Sequence, residues 1–329
     1  MSVVFITDPL ESLNAATDTS IGLMRAAQNR DLQVWVTEAH LLEAVHGRAR
    51  ALARRLRLAA SSPPPPSPRR YGRPRAVAST WYETGEPRHV WLDEMTAVFM
   101  RTEPPLDKTY LTATLVLDLV DPAETVMVND PRGLRACAEH ILPLHYPDLI
   151  PPTIVTADPD AIRSFLAEHD AVVVKPVDGF GGRGVLRLHS QDPNLASLLE
   201  TSTHDGRRAV IAQRFLPEVS AGNKRIFMVA GEPVGAVYRY QAPGDFRIGD
   251  PAAQAPVTSR DREICARLEP DLRRHGIRLA GLDVIGPHLI EVNVTSVGAL
   301  RKADILLGWS LCADLVDSVL GTHEQRGIA

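Results

Sequence analysis

The 329-residue chain is 44% hydrophobic and 23% charged, the balance of a folded globular protein with room for two domains and too apolar for general disorder. Its formal charge of −4 offers no global basic field to nucleic acid or an anionic membrane, and no stretch approaches the ~20 apolar residues that cross a bilayer. Cys137, Cys265 and Cys312 are odd in number and far apart, which excludes a disulfide framework and a cysteine zinc cluster and fits a reducing, cytoplasmic setting.

The N-terminus has no basic leader region, so Val3–Thr7 reads as a first strand rather than part of a signal peptide. Asp18, Thr19 and Ser20 offer N-caps for a helix to about Asn29. Strands at Gln33–Thr37, Ala97–Met100 and Thr125–Val128, with a helix from about Lys108 to Val120, make strand–helix–strand the repeating unit of this region. Such a sheet takes ligands near the carboxyl ends of its strands. Residues 61–75, SSPPPPSPRRYGRPR, interrupt it; the proline run reads as an extended surface loop, the sharper alternative being a docking ligand. From about 131 the pattern changes. Helices are expected at 131–142, 159–168 and 260–275, strands at 153–155, 171–175, 184–188, 208–213, 224–230, 233–241, 279–285 and 289–294, and a final amphipathic segment at 305–320.

Only four of the 36 lysines and arginines are lysines, Lys108, Lys175, Lys224 and Lys302, so a lysine in a distinctive place carries weight. Lys175 ends an apolar strand and precedes Pro176, Val177, Asp178, Gly179, Phe180, Gly181, Gly182, Arg183 and Gly184. The glycines satisfy G-x-G-x-x-G, but a dinucleotide site needs a helix next, and Val185–Leu188 alternates like a strand. A glycine loop between strands can instead cover a triphosphate with bare N–H groups, Lys175 adding a point charge; the bland alternative is a plain hairpin.

Downstream, Glu291 and Asn293 share one strand face. A three-residue loop at Gly286–His288 would pair 285 with 289 and set Asp283 opposite Glu291, whereas a two-residue loop would send Asp283 to the wrong face. Two carboxylates and an amide oxygen then converge as hard ligands for Mg²⁺; the alternative is a solvated acidic face. Gln213, Arg214, Phe215 and Leu216 end a strand at Pro217 and could meet an adenine edge through the backbone. Of the neighbours Lys224 and Arg225 only one can face a pocket, and Arg225, with its forked donors, better suits oxyanion charge.

Together these pieces resemble the ATP-grasp superfamily and, within it, prokaryotic glutathione synthetases. The Met100–Asp107 segment is similar to M-R-x-D-P-P-x-D, Val128–Cys137 to V-N-x-P-x-x-L-R-x-C, and Lys175–Gly182 to K-P-x-D-G-x-G-G, with the E-x-N-V-T-S strand in order behind them. The resemblance implies an α/β chain: a Rossmann-like preATP-grasp domain over 1–130, then an ATP-grasp domain over 131–329 whose two α+β subdomains sandwich the nucleotide, the smaller lid lying at about 143–210. It implies an ATP-dependent C–N ligase working through an acyl phosphate, with ATP and Mg²⁺ (Mn²⁺ is also possible) as cofactors. Small-molecule carboxylate and amine substrates, a homodimer or homotetramer, and no nucleic-acid or membrane partner complete the expectation. Carried over residue by residue, Lys175, Asp178, Gly179, Phe180, Gly181, Gly182, Gln213, Arg214, Phe215, Leu216 and His140 bind ATP; Asp283, Glu291 and Asn293 hold the metal; Arg225 and Lys175 are catalytic; Asp18, Ser20, Arg101, Arg239, Ser296 and Gly298 bind substrate.

Three departures stand out. His140 replaces a phosphate-contacting lysine, residues 246–254 lack two glycines of the family's R-G-N-L-A-A-G-G lid and carry Asp250 for asparagine, and Val297-Gly298 stands where the family reads Pro-Thr. The register leaves Arg239 or Tyr240 as the match to a further family arginine. These departures leave open a diverged peptide or amide ligase of specialised metabolism, or a catalytically weak nucleotide-binding relative.

Overall fold

The computed structural model describes residues 1–59, 81–242 and 244–327. The polyproline reading at 61–75 falls outside them. The first sheet collects β1 (Ser2–Ile6), β2 (Gln33–Thr37), β3 (Leu42–Val45), β4 (Arg48–Leu58), β5 (Tyr82–Thr84), β6 (Arg88–Trp91), β7 (Ala97–Met100) and β8 (Val126–Val128). Its order is β3-β4-β2-β1-β7-β8, with β5 and β6 also paired to β4. The central strands β2, β1, β7 and β8 are parallel. Helices α1 (Thr19–Gln28) and α2 (Lys108–Leu117) make the crossovers, and Asp18 caps α1 by accepting from the Ser20 and Ile21 N–H groups.

The strand–helix–strand expectation leaves out β3 to β6. Arg48–Leu58 alternates alanines and leucines facing inward with arginines facing out, and β4 pairs antiparallel with β2, β3, β5 and β6. That is a strand period written in arginine.

The helix expected at 131–142 is shorter: α3 spans Pro131–Ala136, capped by Asp130, and the chain leaves helical geometry at Cys137. Glu139 then pairs its carbonyl with the Val292 N–H, a contact that a continuing helix would forbid.

A second, antiparallel sheet contains β9 (Thr153–Thr156), β10 (Ala171–Pro176), β11 (Leu186–His189) and β12 (Val210–Arg214) in the order β11-β10-β12-β9. With α4 (Pro159–His169) and α5 (Leu195–Thr203), a helix absent from the sequence reading, it closes its own core around Ile162, Leu166, Val172, Val174, Leu188 and Leu199. The third sheet runs β15-β14-β13-β16-β17, with β13 (Asn223–Val229), β14 (Glu232–Gln241), β15 (Ile248–Gln254), β16 (Leu279–Ile285) and β17 (His288–Asn293). Helix α6 (Ser259–Arg274) packs on it, and the final amphipathic segment resolves into α7 (Leu300–Leu307) and α8 (Leu311–Gly327), divided at Gly308. The first and third sheets share two continuous apolar clusters, so the second sheet is the one unit with a separate core among the described residues. Among the described residues, no helix is long and apolar enough to cross a membrane.

Candidate active site

A cavity of about 290 Å³ lies between the second and third sheets. Its upper wall comes from β10, the glycine loop and the end of β12; its lower wall comes from β13, β14, β16 and β17. The glycine loop connects β10 to β11 as an antiparallel hairpin, with Val174 opposite Leu186, so the helix required by a dinucleotide fold is absent. Gly181 and Gly182 take φ of +60° and +70°, a conformation that strains any residue with a Cβ.

Gly179, Phe180, Gly181, Gly182, Lys175, Gln213, Arg214, Phe215, Leu216 and His140 all line this cavity, together with Arg225, Arg239, Asp283, Glu291 and Asn293. Asp178 does not: its carboxylate turns outward and accepts from Arg208 at 2.5 Å. Nor do Asp18, Ser20, Arg101, Ser296 and Gly298, which gather near the carboxyl ends of β1 and β7. There the buried Arg101 donates to Ser20 Oγ (3.2 Å) and the Val297 carbonyl (3.1 Å), while the single O–H of Ser296 lies within reach of two acceptors, the Arg101 carbonyl (3.0 Å) and Glu103 Oε1 (3.1 Å). A Cβ on Gly298 would touch nothing within 4 Å, so that position opens into free space.

Asp283 does stand opposite Glu291, but by another route than expected. The turn is the two-residue Gly286-Pro287, with Ile285 paired to His288. Alone it would put Asp283 on the wrong face; a bulge at Ile290 inserts one residue and restores the pairing. The Ile290 carbonyl is also the acceptor for Lys175 Nζ, at 3.5 Å.

Between β13 and β14, Arg225 and Arg239 both reach Asp283. Arg225 grips it with two nitrogens and Arg239 Nη2 donates to Oδ2 at 2.5 Å. Burial pushes the Asp283 carboxyl up, and the two guanidinium groups outweigh it, holding the group at about 2. Lys224, the alternate neighbour, points to the opposite face and donates to buried Asp261. Arg239, not Tyr240, lines the cavity; Tyr240 is exposed and stacks on Tyr238.

Two residues outside the sequence reading join this site. Asn223 Oδ1 accepts from Arg239 Nη2 at 2.6 Å and lines the cavity. Glu139 sits behind β17, where burial and the nearby Glu291 raise its carboxyl to about 7 against the Thr295 and Val294 N–H groups that lower it. Its place beside His140 was the only available signal, and nothing in the spacing marks which strand it touches.

Lys175 is 6% exposed, and burial lowers its pKa while Glu291 and Asp283 oppose the fall. A cation so enclosed with one long hydrogen bond fits an incoming anion. Arg214 Nε is buried without a partner among the described residues. The N–H groups of Arg214 and Phe215 are taken by the Pro152 and Ala171 carbonyls, so an adenine edge would meet this backbone through its carbonyls or the Leu216 amide. The Arg187 guanidinium stacks 3.7 Å over the Phe215 ring. These features fit a nucleotide with its phosphates toward Lys175. No three His, Cys, Asp or Glu side chains among the described residues cluster as metal ligands, so a cation here would rely on Asp283, Glu291, the Asn293 oxygen and the nucleotide's own oxygens. Asn293 Nδ2 donates to the Gly281 carbonyl at 3.0 Å, which leaves its Oδ1 for such a role, and an all-oxygen set suits Mg²⁺.

Two family models match the chain: "Prokaryotic glutathione synthetase, N-terminal domain" over residues 1–135 and "Prokaryotic glutathione synthetase, ATP-grasp domain" over 139–306. The chain is similar to the glutathione synthetase of Nostoc sp. (41% identical, covering 97% of this chain and 98% of that one) and to that of Thermosynechococcus vestitus (42%, covering 94% and 97%). In fold it is similar to the D-cycloserine synthetase DcsG (TM-score 0.66, 14% identical, covering 98% and 100%) and to the ATP-grasp ligase PsnB complexed with minimal precursor, Mg and ADP (TM-score 0.61, 16% identical, covering 98% of each). The chain belongs to the prokaryotic glutathione synthetase family and has the ATP-grasp fold.

Proposed function

We propose that this chain joins γ-glutamylcysteine to glycine at the expense of ATP. The observation that carries the reading is the single cavity in which Lys175 and the glycine loop face Asp283, Glu291 and Asn293. A substrate carboxylate oxygen bonds to the γ-phosphorus of ATP as the bond to ADP breaks. The glycine nitrogen then bonds to the acyl carbon, inorganic phosphate leaves, and the amine gives up a proton to solvent.

In this reading Lys175 draws the phosphates into the cleft, and the loop from Gly179 to Gly182 covers them and excludes water. Gln213, Arg214, Phe215 and Leu216 line the base, the Gln213 amide being steadied by Thr153 Oγ1 at 2.9 Å. Asp283, Glu291 and Asn293 would hold Mg²⁺ or Mn²⁺, which when bound would neutralise phosphate charge. Arg225 and Arg239, released from Asp283, turn their donors to the acyl-phosphate oxygens. Arg101, Ser20, Asp18, Ser296 and Gly298 take the remote end of the dipeptide. Asp178 is given no ATP contact, because its carboxylate faces Arg208. A cytoplasmic homo-oligomer belongs to the same reading.

The test uses γ-glutamylcysteine labelled with ¹⁸O in its cysteinyl carboxylate. One label should pass to inorganic phosphate for each glutathione formed; unlabelled phosphate rejects the acyl phosphate. A second reading, a ligase for another carboxylate and amine, has one observation in its favour. Asp250, in a segment that departs from the family pattern, is tied to Lys302 of α7 at 2.5 Å, a contact that would change how this segment closes over an amine substrate. Product formation only with another pair selects it.

A further inference from the structure

β17 is an edge strand. Among the described residues its one ladder neighbour is β16, and its outward N–H groups need partners. Leu149 supplies one, its carbonyl accepting from the Leu289 N–H at 2.8 Å. Glu139 supplies three: its carbonyl accepts from Val292 at 3.1 Å, and its Oε1 accepts from Val294 at 2.8 Å and from Thr295 at 2.7 Å. The residue between Val292 and Val294 is Asn293. Its amide nitrogen is fixed to the Gly281 carbonyl, so where Oδ1 points depends on how the backbone at 292–294 is held.

One residue beyond Glu139, His140 faces Glu291, with Nε2 3.7 Å from Oε1. Two consecutive residues therefore touch the part of β17 that carries both Glu291 and Asn293. We propose that Glu139 is a positioning residue, clamping β17 on either side of Asn293 so that the Asn293 oxygen and the Glu291 carboxylate are set for one cation. The proposal rests on the reading that Glu291 and Asn293 hold the metal. Glu139 does not line the cavity and touches no reacting group; it acts through the two backbone segments it holds.

What matters in this account is reach and acceptor geometry. Glutamine keeps the length and one carbonyl oxygen and loses the charge. Aspartate keeps the charge and falls one methylene short of Val294 and Thr295. Outer partners of metal ligands typically change metal affinity by about 10- to 100-fold when removed.

The experiment is calorimetric titration of Mg²⁺ into the ADP-bound full chain for wild type, Glu139→Gln, Glu139→Asp and Asn293→Ala, with thermal unfolding recorded beside it. Glu139→Gln should bind Mg²⁺ within about threefold of wild type, and Glu139→Asp about 10-fold or more weakly. Wild-type Mg²⁺ affinity in both Glu139 variants, or weaker binding in Gln than in Asp, overturns the proposal, because the clamp would then be idle or act only as a charge. A lowered unfolding midpoint with unchanged Mg²⁺ affinity also overturns it, since that is a purely structural role. Asn293→Ala separates the two layers: unchanged Mg²⁺ affinity there removes the metal reading itself, whereas a loss there with no loss in Glu139→Asp removes the clamp alone.

Discussion

Asp283 stays ionised in a dry place because two guanidinium groups hold it, and the same pairing keeps Arg225 and Arg239 in the wall of the cavity. Among the described residues Glu291 makes no such arginine pair; the buried imidazole of His140 lies 3.7 Å from it. Glu291→Ala should therefore lower turnover by at least about 10³-fold, several kcal/mol of lost charge stabilisation, with the unfolding midpoint nearly unchanged. Wild-type turnover in that variant would place the metal elsewhere. Burial lowers the His140 pKa, Glu291 opposing and Lys175 reinforcing, which disfavours the charged ring. His140→Lys should tighten ADP several-fold in a binding titration, and no change would mean position 140 does not face phosphate. Glu139 has the opposite sign to Asp283: its carboxyl is raised from 4.5 to about 7 by burial and by Glu291. Its folded-state proton adds stability below pH 4.5 that is lost as pH climbs through 7, at up to about 1.4 kcal/mol per unit. Denaturant unfolding of Glu139→Gln should show a flatter fall from pH 5 to 7.5; a slope equal to wild type contradicts the shift.

At the level of elements, the parallel strands and the cap of α1 could be read from local residue types, because an N-cap acid states its own role. The hairpin could be read only in part. Its facing acids were expected, but from a three-residue loop that the structure lacks; the two-residue turn and the bulge at Ile290 that together restore the pairing were not legible, because an inserted apolar residue among apolar neighbours leaves no mark in a period of two. β4 escaped for a different reason, since its arginines look solvated unless the alanines between them are seen as a buried face. Asn129 is equally silent in the sequence. Its buried amide donates to the Leu279 and Val294 carbonyls and accepts from the Arg278 and Leu279 N–H groups, four bonds of 2.8–2.9 Å that tie the end of β8 to both strands of the acidic hairpin. Asn129→Ala leaves those groups unpaired and should cost ~3 kcal/mol in denaturant unfolding. A loss below about 0.5 kcal/mol would mean that another partner takes over.

Across the whole molecule, the glycine loop belongs to a sheet with its own core, while the acidic hairpin belongs to a sheet fused to the first region by shared apolar clusters. That division means that a movement of the glycine-loop sheet would leave the core behind Asp283, Glu291 and Asn293 intact. Sequence similarity reached this arrangement because the motifs of both walls are retained in order; it could not reach residues 246–254, which depart from the family pattern and where Asp250 meets Lys302. The most direct measurement is product analysis of ATP, Mg²⁺, γ-glutamylcysteine and glycine incubated with the chain. The account predicts glutathione, ADP and phosphate in equal amounts, with none formed when Mg²⁺ or either amino-acid substrate is left out. Bound ATP with no glutathione, or ADP released at the same rate without glycine, would contradict it.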